Sequence, residues 1–368
     1  MLPKVNDGEW VITLSEDSHP EQLMIELTTA CNYDCVFCFR RVTNEKLNGF
    51  MEEQLYRKIL DDAVKAGIKK ISFTGWGETL VHPKALQFIE EAKGRGFNVL
   101  VATNGFFLDK YAEKLVSLET DELYVSVDSV EEELYSMLRV GGNLSNVTKG
   151  LLKIKKLKSE QGHLKPDVTL QVTVNNYNIK GLRALPDYGL SVHATKIVVS
   201  MMLPLTKEME KSMACYMNKE CVMEIEKMRD IAESLAPYIT IILPNTTTAT
   251  ERKCPFVSRL AAFIRWDGKV APCIYYAHSW KHVFEGIERK INAVIFGDLN
   301  KESLLDVWRS PDYAAFRARV YFFRMPSCLD CPVRHFCALT LSNETDCWGN
   351  SPTCAACPFS HDMVRCPL

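Results

Sequence analysis

The chain has 368 residues, 47% of them hydrophobic, enough to bury a sizeable core and to build two or three domains. Its formal charge of -2 provides no basic surface for a nucleic-acid or membrane partner. Residues 1–18 hold no apolar signal-like run, and the sequence nowhere strings together enough apolar residues for a membrane helix, so a soluble, non-exported, cytoplasmic chain is expected.

Fourteen cysteines are the anomaly; in a reducing compartment they read as metal ligands rather than disulfides. The first three follow a short apolar run over residues 23–28, spaced as Cys31-x3-Cys35-x2-Cys38 with Phe37 before the last. Thiolates are the preferred ligands of iron–sulfur centres, and three of them leave one iron of a four-iron cubane open for chemistry. A structural zinc site would want a fourth Cys or His nearby, and the next candidate is His82. Buried structural cysteines have no reason to take this spacing.

Downstream, strands are expected over residues 69–74, 98–103, 122–128, 168–175 and 196–200, and helices over 52–66, 83–94, 110–118 and 146–158. Alternation at this interval implies right-handed β-α units around a parallel sheet. Counting residues 23–28, six strands are too few for a closed eight-stranded barrel, so an α/β partial barrel is expected over 23–200, after an N-terminal segment 1–22. Such sheets gather ligands at the carboxyl ends of their strands. There lie Gly75-Trp76-Gly77-Glu78, whose glycines permit close backbone approach, then Asn104, Ser126, Arg139 and Asn175. Most also have a plain alternative: a β-α turn for the glycines and Asn104, a solvated charge for Arg139, a cap or turn for Asn175.

Alternation stops after residue 200. A helical bridge over 201–240 contains segments 207–217 and 219–235, which break near Asn218. Its Cys215 and Cys221 do not share a helical face and read as structural or accessory thiols. In the tail, 241–368, alternation around Asp267-Gly268 signals a β-hairpin between Cys254 and Cys273. A helix pair is expected over 304–320. Seven further cysteines follow: Cys328, Cys331, Cys337, Cys347, Cys354, Cys357 and Cys366. Cys-x2-Cys spacing alone permits zinc ribbons as well as iron clusters. The eight histidines form no metal-ligand array.

Cys-x3-Cys-x-aromatic-Cys resembles the motif of the radical SAM superfamily. That resemblance implies the same partial (β/α)6 barrel. It also implies a [4Fe-4S] cluster on Cys31, Cys35 and Cys38 whose open iron binds S-adenosyl-L-methionine and cleaves it reductively to a 5'-deoxyadenosyl radical. Thr74 to Glu78 resembles the family's Gly-Gly-Glu motif, which receives the methionine amino group; Trp76 departs from it, so only a backbone role carries over. Ser126 matches the family serine at the ribose, and Arg139 the arginine that pairs with the methionine carboxylate, sensible for a planar guanidinium.

The tail resembles the SPASM extension of radical SAM maturases, which binds two auxiliary [4Fe-4S] clusters. The resemblance assigns Cys254 and Cys273 to the first, and Cys328, Cys331 and Cys337 to the second. Leu341 stands where the family has another Cys. Cys347 then substitutes in the first cluster and Cys357 in the second, with Cys354 and Cys366 as competitors. More narrowly, Cys38-Phe39-Arg40, residues 196–200 with Leu203-Pro204, and Asp346-Cys347-Trp348-Gly349-Asn350 resemble maturases associated with tungsten cofactor oxidoreductases. The substrate would then be a tungstopterin or a peptide of the partner enzyme, with ferredoxin or flavodoxin as reductant. A maturase that crosslinks or epimerises a ribosomal peptide is the competing enzyme. An electron-transfer or zinc protein without catalysis is the alternative from another class.

Overall fold

The computed structural model describes residues 4–7, 9–248 and 252–366. In it the apolar run before the cysteine triad forms β1 (Gln22–Ile25). Leu23, Met24 and Ile25 are all fully buried, the mark of a strand covered on both faces. The next five strands are β2 (Lys70–Phe73), β3 (Asn98–Thr103), β4 (Glu122–Ser126), β5 (Asp167–Val174) and β6 (Lys196–Met201). Each pairs in parallel with its neighbour in sequence, as expected of the partial barrel.

The covering helices are α1 (Glu53–Lys65), α2 (Ala85–Gly94), α3 (Leu108–Ser117), α4 (Glu132–Leu138), α5 (Leu144–Gln161) and α6 (Leu185–Ser191). In α1 the buried residues are Leu55, Tyr56, Ile59, Leu60 and Ala63, a single stripe at helical spacing that packs onto the sheet. The sequence reading missed α4 and α6, which at seven residues each are too short to show a helical period.

The sheet does not end with the barrel. It has ten strands, because β7 (Thr240–Ile242) adds to β6 at one edge, while β8 (Ala261–Ile264), β9 (Lys269–Ala271) and β12 (Gly297–Asp298) extend the other. Between β9 and β12 the chain forms a separate hairpin, β10 (Trp280–Phe284) with β11 (Ile287–Ile291), which the sequence analysis did not anticipate. β8 lies parallel to β1, with Ala262 opposite Leu23. The expected Asp-Gly hairpin is β8-β9, but its loop is three residues long: Gly268 N donates to Arg265 O at 3.0 Å and Arg265 N to Lys269 O at 2.9 Å. Gly268 takes the left-handed position that ends such loops, with φ of +86°.

The bridge holds α7 (Lys207–Met213) and α8 (Lys219–Leu235). As expected it breaks at Asn218, whose side chain accepts from Glu220 N and caps α8. That break brings Cys215 and Cys221 together, and they form a disulfide, where the sequence reading has two structural or accessory thiols. Both are buried among apolar side chains. In the tail, α9 (Leu304–Trp308) and α10 (Pro311–Tyr321) form the expected pair, with Trp308 and Phe316 buried. Among the described residues no helix is long and apolar enough to cross a membrane.

Phe263 of β8 is fully buried and packs in a small cluster with Met24, Phe256 and Ala271, flanked by Cys254, Cys273 and Cys366. Phe263→Ala should therefore cost roughly 3–5 kcal/mol. It should also lower the iron retained by the tail, both read by thermal unfolding and by iron analysis of anaerobically purified protein.

Candidate active site

Residues 31–38 leave the carboxyl end of β1 and are held from two sides. Cys35 and Asp34 pair in antiparallel fashion with Arg139 and Val140, just past α4, and Val36 N donates to Leu138 O at 3.0 Å. On the other side, Glu78 N donates to Ala30 O at 2.8 Å. A Cβ on Gly77 would stand 2.4 Å from both Thr28 O and Ala30 O, and one on Gly75 would strike the Glu26 side chain at 2.4 Å. The two glycines are thus required because the loop after β2 lies directly on the segment that feeds the cysteines.

The three thiols face a cavity of about 320 Å³ at the carboxyl ends of the strands. Phe37, Gly75, Trp76, Gly77, Glu78, Asn104, Ser126 and Arg139 line it with them, so the sequence-predicted set converges. Asn175 does not line it. Its amide turns back to Thr173 O, its Oδ1 accepts from Tyr177 N at 2.9 Å, and it is fully buried, so it serves the turn after β5. Gln171 and Thr173, from β5 itself, line the cavity instead.

Burial pushes all three thiols up, Cys38 to about 12, because a thiolate loses its hydration here. Asn104 Nδ2 lies 3.8 Å from Cys31 Sγ, and Arg139 Nη1 lies 3.9 Å from Cys35 Sγ. Arg139 Nε contacts Asp128 Oδ2 at 2.6 Å, and its guanidinium lies over the Phe37 ring. Burial opposes its charge, but Asp128 outweighs that and keeps it protonated. Glu78 is a clamp rather than an open ligand. Its carboxylate accepts from Thr103 Oγ1 at 2.7 Å, Asn104 N at 2.6 Å and Leu80 N at 3.1 Å, and burial raises its pKa against those bonds.

Sequence reasoning missed the residues that close the cavity from the tail: Ile274, Tyr275, Trp280, Phe359, Val364 and Arg365. Long-range packing brings them there, and no local pattern announces it. It also missed the seam beneath Trp76. Glu26 Oε1 accepts from Trp76 N at 2.8 Å, and Glu26 Oε2 lies 2.9 Å from His278 Nε2. His278 Nδ1 lies 2.8 Å from Glu45 Oε2, and Arg265 Nη1 lies 3.2 Å from the same oxygen. The available signal was Glu26 itself, a charge inside an otherwise apolar run.

The late cysteines form two groups. Cys254, Cys273, Cys354, Cys357 and Cys366 act on one another's charges and are all pushed up by burial. Cys328 lies in electrostatic reach of Cys331 and Cys347, and Cys337 follows in the same loop. Cys347 and Cys357 are therefore exchanged relative to the sequence-based assignment. The cause is a turn at Asp346, whose carboxylate accepts from Trp348 N, Asn350 N and Thr353 Oγ1 and fixes Cys347 near Cys328. Cys354 and Cys357 then pass toward Cys273, where Tyr276 OH donates to Thr353 O at 2.7 Å. Among the described residues no three His, Cys, Asp or Glu side chains close on a point that would hold a single metal ion.

Thiol triad, glycine loop and carboxyl-end cavity together define a radical SAM site, and comparison with known proteins agrees. Residues 25–214 match the Radical SAM superfamily and residues 254–332 the SPASM iron–sulfur cluster-binding domain, so the chain belongs to the radical SAM superfamily. It is 35% identical, over 94% of its length and 97% of the relative's, to the tungsten-containing aldehyde ferredoxin oxidoreductase cofactor-modifying protein of Pyrococcus furiosus. A probable GTP 3',8-cyclase of Methanococcus maripaludis is 33% identical over 35% of this chain and 43% of its own. Among solved structures, Streptococcus suis SuiB bound to S-adenosylmethionine superposes with a TM-score of 0.64 at 16% identity, covering 87% of this chain and 72% of that one. For anSMEcpe with bound AdoMet the figures are 0.63, 15%, 87% and 85%. The protein is accordingly a radical SAM enzyme of the SPASM type. Its cofactors are S-adenosylmethionine, a [4Fe-4S] cluster and auxiliary iron–sulfur clusters.

The seam makes a pH prediction. With both ring nitrogens against carboxylates, His278 must donate twice and so carries a charge. Burial opposes that charge, but Glu26 and Glu45 outweigh it and raise its pKa above 6.5. Its contribution is complete below that value and is lost as pH rises through the raised pKa. Burial opposes the Glu45 charge as well, yet the bonds from His278 and Ser279 and the Arg265 charge hold its pKa at about 2, so its contribution is lost only as pH falls from 4.5 toward that value. Thermal midpoints should therefore fall on the alkaline side more steeply in the parent than in His278→Gln; parallel alkaline limbs would contradict the assignment.

Proposed function

We propose that this enzyme is a maturase of a tungsten-dependent oxidoreductase, acting on that enzyme's tungstopterin cofactor or on a peptide of the enzyme itself. The observation that carries it is the end-to-end 35% identity to the Pyrococcus furiosus cofactor-modifying protein. Cys31, Cys35 and Cys38 would hold the cluster, and their burial suits a centre whose iron supplies the cation that the thiolates lack. When bound there, a reduced cluster with S-adenosylmethionine supplies a 5'-deoxyadenosyl radical for hydrogen abstraction.

The residues around it have distinct tasks. Backbone groups of Gly75, Trp76 and Gly77 receive the methionine amino group, held against the Cys31 segment by Glu78. Arg139 pairs with the methionine carboxylate through its Nη groups, while Asp128 orients it through Nε. Ser126, Asn104 and Gln171 line the path of the nucleoside. In the tail, Cys254 and Cys273 with Cys354, Cys357 or Cys366 hold one auxiliary cluster, and Cys328, Cys331, Cys337 and Cys347 the other. Electrons come from a ferredoxin or flavodoxin, and the protein works in the cytoplasm.

Cys38→Ala should abolish formation of 5'-deoxyadenosine in reduced, reconstituted protein; unimpaired turnover would contradict the ligand assignment. Cys331→Ala should preserve uncoupled cleavage yet disrupt product formation. Substrate identity is checked by mass spectrometry of the cofactor released from a tungsten oxidoreductase produced with and without this protein. A mass change that requires it is the expected result. An unchanged cofactor and enzyme, with modification of a small precursor peptide instead, would favour the peptide-crosslinking reading.

A further inference from the structure

The hairpin β10-β11 buries a charge that the proposed chemistry leaves unused. His282 and Arg289 stand opposite each other across it, at 0% and 1% exposure. Arg289 Nη1 donates to Thr340 O at 2.9 Å, but Nε and Nη2 meet no acceptor, and among the described residues no carboxylate forms an ion pair with it. A guanidinium stays protonated under all ordinary conditions, so an unpaired one in the interior is strongly unfavourable.

His282 cannot be the missing anion. Burial and the Arg289 charge hold its pKa near 3, so the ring is neutral, with Nε2 2.6 Å from Tyr275 OH. Arg289 and Cys328 line one cavity of about 10 Å³ together with Tyr275, Tyr276, Ser342 and Asn343, and after Tyr275 the Cys328 thiol is the acidic group that acts most strongly on the Arg289 charge. One water in that space could satisfy a donor but could not neutralise the charge. Arg252 also acts near Cys328, but Asp330 serves as its counter-charge.

We propose that Arg289 is the buried counter-ion of the cluster held by Cys328, Cys331, Cys337 and Cys347, and that it raises that cluster's reduction potential above the potential the site would otherwise have. The inference rests on reading these cysteines as cluster ligands. Four thiolates on a [4Fe-4S] core give a net charge of about -2 when oxidised and about -3 when reduced. A neighbouring cation stabilises the more negative state, and its free donors can bond to the sulfurs. No electron or proton is exchanged with Arg289 itself.

The test is an anaerobic redox titration followed by electron paramagnetic resonance, with iron and sulfide counted, on the full chain and its Arg289→Met and Arg289→Lys variants. Arg289→Met should shift one auxiliary signal to a more negative potential and lose iron to a chelator faster. The signal that responds to S-adenosylmethionine should stay put in both variants, and Arg289→Lys, which keeps the charge, should titrate close to the parent. A fully loaded Arg289→Met protein with an unmoved potential would overturn the role of Arg289 alone. So would a Lys variant whose potential falls well below the parent's, and this arm, read against the parent alone, decides the matter if Arg289→Met does not fold. Absence of iron from the tail of the parent protein would overturn the cluster reading and this inference together.

Discussion

The carboxylate of Glu26 is where the three parts of this molecule are tied. It sits at the end of β1, fully buried, with one oxygen on Trp76 N and the other on His278. The first bond fixes the loop that crosses the cysteine segment, and the second fixes the chain segment that follows Cys273. Since β1 is also paired with β2 on one side and β8 on the other, the catalytic loop and the cluster-bearing tail are held at one strand end. A buried carboxylate is tolerable only when its lone pairs are satisfied and its charge is matched, and His278 does both. Loss of the histidine would leave a charge with no solvent to receive it.

A second constraint is the burial of thiols in numbers that no protein cation balances. Burial raises Cys31, Cys35, Cys254, Cys273, Cys354 and Cys366, and takes Cys38 and Cys357 to about 12 and Cys328 to about 11. Thiols in such surroundings bind a metal centre as thiolates, their protons passing to solvent, which would couple folding to cluster assembly. Guanidiniums lie by two of them: Arg139 Nη1 is 3.9 Å from Cys35 Sγ, and the Arg289 charge acts on Cys328. Aromatic rings shield the space between: Phe39 lies 4.4 Å from Trp76 and 5.4 Å from Trp280, centroid to centroid.

Local features were legible in the sequence. The triad spacing, the alternation of β1 to β6 with helices, the glycine loop and the break at Asn218 all follow from the chain's own period and turn chemistry. Arg139 was found through its spacing from Ser126, and backbone pairing to Cys35 is what places it. What stayed hidden depends on distant packing. The parallel seating of β8 beside β1 spans more than two hundred residues, and nothing in residues 261–264 specifies that edge. The exchange of Cys347 and Cys357 depends on the hydrogen bonds that Asp346 collects, which spacing counts cannot show. The meeting of Cys215 with Cys221 depends on a helix break rather than a helical face, and Asn175 was misplaced because its side chain satisfies its own turn.

The account depends most on an open-site cluster at Cys31, Cys35 and Cys38 that binds S-adenosylmethionine directly. The direct measurement is the electron paramagnetic resonance spectrum of the reduced, anaerobically reconstituted protein, with and without S-adenosylmethionine, beside a metal count. One [4Fe-4S] signal should change on addition of the ligand and vanish in a variant lacking the three thiols. A spectrum indifferent to S-adenosylmethionine, or zinc in place of iron at those thiols, would contradict it.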